Sequence, residues 1–278
     1  MAPPLEPREQ NFNSLVMKPD REKLLAHASN GEERAILART LDQAETVLKS
    51  GRTQVTDFLD PYRTGLIISV VQRLELVAAA DGGYPGAERK RVAICLNGVT
   101  PLPEEFNLGF IVIKGNFKHC RATHRDFQGA LLGLGLKREK FGDIIMTGDN
   151  ANVVVAGEVV PYILTNLHKV GQNGVLVSEL GQDDCQPPAV KYREIKATVS
   201  SLRLDAVAAA GFGTSRSKMA REIEAERLSI NWRVCPDPAA LVKEGDVLSA
   251  RGKGRVIVES VKGPLKSGRT GVLLHRLV

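Results

Sequence analysis

Ser215, Arg216, Lys218 and Arg221 fall within seven consecutive residues, and together they offer the chemistry of holding an anion. A helix start leaves backbone N–H groups unpaired and carries the positive end of the helix dipole, so a phosphate is favoured there before any side chain contributes. Guanidinium groups add forked donors for phosphate and flat faces for an unpaired base. Arg203 comes from a preceding helical stretch, and Asn231 closes a short strand where it can cap a turn or read a base edge. Arg251, Lys253 and Arg255 alternate with Gly252 and Gly254, which lets backbone and side chains approach a phosphate chain closely. Arg203, Ser215, Arg216, Lys218, Arg221, Asn231, Arg251, Lys253 and Arg255 are therefore the expected RNA-binding set. The same groups also fit a plainer role, with Ser215 as a helix N-cap and the cations on a solvated face.

These residues need a short helix, a turn, a second helix spanning 215–225 and a strand ending at Asn231. Charge supports the placement. The chain of 278 residues has a formal net charge of +6. Residues 186–278 hold 17 Lys and Arg against 9 Asp and Glu, a balance of +8, so the rest of the chain stands at −2. A local basic excess of this kind is the footprint expected of phosphate-backbone binding.

Upstream, apolar residues at three- and four-residue intervals from Leu24 to Leu48 predict helices over 20–58, with Gly51 as a stop. Asp60 and Pro61 predict the start of another helix, with the acid as N-cap and proline where its missing N–H costs nothing. From residue 91 the period shortens. Strands are expected at 91–96, 110–114, 143–146, 152–156 and 175–177, with helices at 123–134 and 160–170. Residues 181–188 are polar, acidic and proline-containing, which suits an interdomain boundary. A strand at 192–200 and a hairpin after 256 complete an α+β chain. It divides into a helical region (1–80), a central α+β sandwich (81–180) and a basic module with strands (181–278).

Several chemistries lose on spacing. Cys95, Cys120, Cys185 and Cys235 are isolated, which argues against a zinc ribbon or a disulfide framework and fits a reducing cytoplasm. His119, Cys120 and His124 lack a fourth ligand, so no metal is expected. Gly211 and Gly213 lack the preceding strand and third glycine of a dinucleotide loop, and no other cofactor motif occurs. Gly133 and Gly135 follow a helix and read as a C-cap. Arg203-Leu204-Asp205 superficially matches the active-site triplet of pseudouridine synthases, but its neighbours belong to the helical RNA-binding layout. No nucleophile, base and orienter can be named, and no catalytic residue is expected. The apolar stretch 66–71 is too short to enter a membrane as a span. The first ten residues lack the apolar core of a signal peptide.

An RNA-recognition fold usually displays aromatics on its central strands, yet 91–96, 143–146 and 152–156 hold none. Contacts from the central region are expected instead through Lys114, Lys118, Arg121 and Arg125. His124-Arg125-Asp126 reads either as a contact site or as an Arg125–Asp126 pair with His124 capping the helix.

Arg203-Leu204-Asp205, Gly211 or Gly213, Ser215-Arg216, Ala220, Ile223, the strand to Asn231 and Gly245-Asp246-Val247 resemble the S4 RNA-binding domain. Glu226 stands where many such domains place a glycine before the strand, and Trp232-Arg233 replaces the usual glycine turn. Asp57-Phe58-Leu59-Asp60-Pro61-Tyr62, Gly82-Gly83-Tyr84, Ala87-Glu88-Arg89, His124-Arg125-Asp126, Gly129 to Gly135, Arg138, Gly142-Asp143-Ile144 and the final Arg251-Gly252-Lys253-Gly254-Arg255 extend the likeness to YlmH-type proteins. In cyanobacteria and plastids that family carries the label photosystem II S4 domain protein. The resemblance implies a helical N-terminal part, a central RNA-recognition-like domain and a C-terminal S4 domain. It further implies non-catalytic binding of structured RNA (rRNA or tRNA), with large ribosomal subunits carrying stalled peptidyl-tRNA as the target. A competing expectation is an assembly or interaction factor linked to photosystem II biogenesis, with an RNA-modifying enzyme a more distant one.

Overall fold

Asn30 starts the first long helix: its side chain accepts from the Glu33 N–H at 2.9 Å, and the Glu33 carboxylate accepts from the Ser29 N–H at 2.7 Å. This reciprocal cap satisfies donors the helix itself leaves unpaired. The computed structural model describes residues 21–26, 28–117, 121–185, 191–264 and 268–277. The N-terminal unit comprises α1 (Arg21–Leu25), α2 (Gly31–Ser50), β1 (Gln54–Val55), α3 (Pro61–Gln72), β2 (Val77–Asp81) and β3 (Arg91–Cys95). Gly51 ends α2 in the left-handed conformation, and the Asp60 side chain caps α3 by accepting from the Arg63 N–H at 2.9 Å. Leu37, Leu41 and Val47 of α2 and Ile67, Val70 and Val71 of α3 pack onto Val92 and Ile94 of the sheet.

That sheet has the order β1-β3-β2. The strand expected at 91–96 as the first of the central unit therefore pairs with β1 and β2 instead. The partition expected at 80/81 runs through the end of β2. The two-residue β1, which supplies one edge, leaves no periodic trace in the sequence.

The central unit runs β4 (Leu108–Gly115), α4 (His124–Gly133), β5 (Phe141–Thr147), β6 (Asn150–Ala156), α5 (Val160–Asn166), β7 (Lys169–Val170) and β8 (Asn173–Glu179). Its antiparallel sheet has the order β5-β6-β4-β8-β7. Setting β7 aside, this is the β-α-β-β-α-β arrangement of a split βαβ fold. The helix expected to reach 170 stops at Asn166, because Lys169 and Val170 turn back onto Gly174 and Asn173 in a hairpin. Phe127, Leu131 and Ile163 of the helices close one face of the sheet.

The other face is closed by the N-terminal unit. Phe58 is wholly buried against Ile145, Val154 and Cys185, with Tyr84 and Phe110 beside it. Two glycines permit the approach. A side chain at Gly83, which has φ +93°, would meet the Phe110 ring at 2.6 Å, and one at Gly142 would meet the Phe58 ring at 2.8 Å. The sheet surface on which an RNA-recognition fold stacks bases is thus an internal packing surface here.

The C-terminal unit contains β9 (Tyr192–Val199), α6 (Leu204–Phe212), α7 (Arg216–Glu224), β10 (Leu228–Ile230), β11 (Arg233–Val234), β12 (Val247–Ala250), β13 (Gly254–Pro264) and β14 (Thr270–Leu277). The sheet order β11-β10-β12-β13-β14-β9 places the unit's first strand beside its last. Leu204, Val207, Phe212, Met219 and Ile223 bury the two helices against Val256, Val258 and Leu274. With helices packed on each of three antiparallel sheets, the chain is α+β. No described helix is long and apolar enough to cross a membrane.

Candidate nucleic-acid interface

The start of α7 is built as the sequence predicts. Gly213, at φ +64°, ends α6, and the Ser215 hydroxyl caps α7 by accepting from the Lys218 N–H at 3.3 Å. Ser215 is thus a cap, and Arg216 beside it is held, together with Arg203, by Asp205, the second residue of α6. The Asp205 carboxylate accepts from Arg203 Nη2 at 3.1 Å and from Arg216 Nε at 3.1 Å, with Arg203 Nε adding a third contact at 3.3 Å. The Asp205 side chain is 6% exposed, whereas those of Arg203 and Arg216 are 37% and 49% exposed. One buried carboxylate therefore fixes two guanidiniums whose outer faces stay in water. Burial works against the charged carboxylate, but the hydrogen bonds and charges of Arg203 and Arg216 outweigh it and hold its pKa below the usual aspartate value. Arg203 itself stands just before α6 rather than within it.

Lys218 and Arg221 follow along α7, both exposed. Arg221 Nε reaches back to the Ser217 carbonyl at 3.4 Å, and Lys218 has no side-chain partner among the described residues. The β12–β13 turn carries Arg251 and Lys253, alternating with Gly252 and Gly254, whose φ angles are +77° and +87°. Arg276 donates to the Phe212 carbonyl at 3.5 Å and to the Lys253 carbonyl at 3.4 Å, which ties this turn to the end of α6.

The side chains of Asn231 and Arg255 are already engaged within the protein. The Asn231 amide donates to Asp246 Oδ1 at 2.8 Å and its oxygen accepts from the Val247 N–H at 2.9 Å, so the side chain holds the turn after β10. Asn231 and Trp232 both adopt positive φ, at 48° and 66°, and Glu226 does so at 56°. At both departures from the family's glycine pattern the backbone keeps the left-handed conformation that glycine would make easy. Trp232 and Arg233 acquire contacts in return. Arg255 pairs with Glu88 and lies over the Trp232 ring at 5.6 Å, and Arg233 donates to Ser29 Oγ at 3.0 Å beneath the Tyr62 ring. This edge of the C-terminal unit docks on the N-terminal unit.

The seam between the N-terminal and central units is equally polar. Asp143 accepts from the Tyr84 hydroxyl at 2.7 Å and from the N–H groups of Glu88 and Arg89 at 2.7 and 3.2 Å. Arg89 and Arg138 donate to backbone carbonyls of Phe58, Phe141 and Gly142. Burial, with Arg89 as a second positive neighbour, lowers the Arg138 pKa to about 10. Burial and Asp143 push the Tyr84 phenol up, so it stays a donor. Sequence reasoning missed this network: Tyr84, Glu88, Arg89 and Asp143 were visible as motif residues, but 55 positions separate Glu88 from its acceptor.

In the central unit Arg125 is exposed at the start of α4 and Arg121 lies 3.7 Å from Asp149. Of the two readings of this triplet, the one with an Arg125–Asp126 pair and a His124 cap is not what forms. Asp126 accepts instead from the N–H and hydroxyl of Thr123, both at 2.7 Å, closing a capping box. Lys118, His119 and Cys120 lie outside the described residues, as do residues 186–188 of the expected linker. Among the described residues no group of three His, Cys, Asp or Glu side chains could hold a metal ion.

Three family models match the chain: "YlmH, N-terminal" over residues 32–99, "Putative RNA-binding domain in YlmH" over 101–184, and "S4 domain" over 202–248. A curated relative from Bacillus subtilis (strain 168), "Ribosome-associated protein quality control protein P2", is 34% identical over 245 residues, covering 88% of this chain and 95% of its own. Among solved structures, "Cell division protein ylmH from Streptococcus pneumoniae" superposes with a TM-score of 0.51 at 20% identity, covering 57% of this chain and 96% of that one. That last likeness speaks to fold alone. Three consecutive domain matches and a relative matched over nearly its whole length place the chain in the YlmH family.

Proposed function

We propose that this chain is a non-catalytic RNA-binding protein of the cytoplasm that docks on the large ribosomal subunit, gripping structured rRNA or tRNA through its S4 domain. The observation that carries the reading is the Arg203–Asp205–Arg216 cluster at the start of α7, where a helix N-terminus and two exposed guanidiniums converge on one side of the turn. Lys218, Arg221, Arg251 and Lys253 extend the cationic surface. Ser215 and Asn231 shape its turns, and Arg255 reaches RNA only by leaving Glu88. The B. subtilis relative, described as ribosome-associated, supports the ribosome as the partner.

Sedimentation of the tagged protein through ribosome profiles at low and high salt tests this, beside an Arg216→Ala/Lys218→Ala double variant. Comigration with the large subunit that fades with salt and is lost in the variant is the expected result. Wild-type protein remaining at the top of the gradient at low salt would refute ribosome docking.

A further inference from the structure

Two clefts meet at His124 and Arg255, where the C-terminal unit faces the other two. The larger, about 740 Å³, is walled by Tyr84, Glu88, Arg89, Arg138 and Asp143. Its charges are already engaged with one another or with backbone carbonyls. The smaller, about 610 Å³, is different. Arg125 from the start of α4 forms one wall, and Arg227 and Arg251 of the C-terminal unit form the other. Arg125 and Arg251 are exposed, and neither has an ion-pair partner among the described residues. Arg227 lies 3.5 Å from Glu222, a loose contact. Glu226 is the carboxylate on the rim, and Ser229 and Ser249 add polar floor.

The walls are held apart by contacts that use none of the cleft's unpaired cations. Arg255 crosses to Glu88, and Arg233 crosses to Ser29 and Tyr62. A polar, basic, open channel suits a phosphate backbone rather than a small molecule, which would ask for apolar walls. The central unit's sheet surface is packed against Phe58 and Tyr84, so a contact from this unit with RNA falls to its loops and helix starts.

We infer that this cleft is a phosphate track shared by two domains, in which an RNA strand is gripped between Arg125 of the central unit and Arg251 of the S4 unit. The inference rests on the RNA-binding reading above and deepens it, by giving the central domain a helix-start contact in place of a sheet contact. Loss of one phosphate contact lowers the salt dependence of binding by about one unit of slope.

Fluorescence anisotropy of a labelled RNA hairpin, titrated with the full chain across a salt series, tests it. Arg125→Ala and Arg251→Ala should each reduce the slope of log K against log salt by about one, and the double variant by about two. Lys49→Ala, a cation on the remote α2 beside Glu45, controls for net charge and should leave the slope unchanged. If the wild type binds and Arg216→Ala weakens it while Arg125→Ala behaves like Lys49→Ala, the shared track is wrong and the S4 reading stands. If the wild type binds neither the hairpin nor the ribosome, the RNA-binding reading itself fails. Unchanged hairpin binding by Arg125→Ala with loss of ribosome comigration would assign the cleft to a ribosomal protein and overturn the proposal.

Discussion

The central sheet and the S4 helices belong to two architectures that recur in RNA-binding proteins, and this chain treats their exposed faces in opposite ways. The central sheet gives its open face to the N-terminal unit, with Phe58 at 0% exposure and Phe110 against the backbone of Gly83. The S4 unit buries a carboxylate and leaves its two arginines outside. Fold therefore does not decide availability. What decides it is whether the rest of the chain has something to lay on the surface. A split βαβ sheet whose aromatic on that face, Phe110, is already packed against a neighbour is a poor platform for bases.

The largest effect expected from breaking this contrast is at Phe58. Phe58→Ala removes a fully buried ring from between two units and should cost about 3–5 kcal/mol, read as a fall in the urea midpoint. RNA affinity per folded molecule should be preserved, since the S4 surface is untouched. A strong loss of affinity at full folding would show that the central sheet matters to binding directly.

Asp205→Asn should have an intermediate effect. It leaves two guanidiniums without their carboxylate, but both are partly solvated, so about 1–2 kcal/mol is expected. The pH dependence follows from the depressed Asp205 pKa. The stabilisation is full above the unfolded aspartate value of about 3.9, and it fades as pH falls through the lower folded value. The variant should therefore show a flatter acid limb of stability than the wild type, together with weaker RNA binding at neutral pH. Identical acid limbs would mean that Asp205 is not the ionised hub the geometry describes.

Much of this was legible in the chain and some was not, and range explains the difference. Asp60 before Pro61, Gly51 after α2 and Ser215 before α7 are local devices, readable from a few neighbouring residues, and each stands where expected. The home of the strand Arg91–Cys95 was misread because its partners, at 54–55 and 77–81, are set by pairing rather than by its own pattern. β9 gave no hint that it would lie beside β14. At the site, the cations were readable from type and spacing, whereas the carboxylate that orients them was seen only as part of a motif. Arg255 read as an RNA contact because Glu88, 167 residues away, was not part of its local pattern.

The smallest effect sharpens the point about turns. Glu226 sits at φ +56°, where an L-residue is strained and glycine is not. Glu226→Gly should raise stability slightly, by no more than about 1 kcal/mol, and should relieve the one carboxylate on the rim of the shared cleft. Thermal unfolding and hairpin binding of that variant read both effects. A destabilised variant would show that the Glu226 side chain has a packing role.

The Arg203–Asp205–Arg216 cluster has a consequence for the timing of disorder. A free arginine samples many rotamers, and immobilising such a side chain on binding costs about 0.5–1.5 kcal/mol. Here the freedom of Arg203 and Arg216 is surrendered during folding, when Asp205 takes hold of them. An arriving RNA meets donors that no longer need to be ordered. The entropy of association should accordingly be less unfavourable than the number of arginines engaged would suggest.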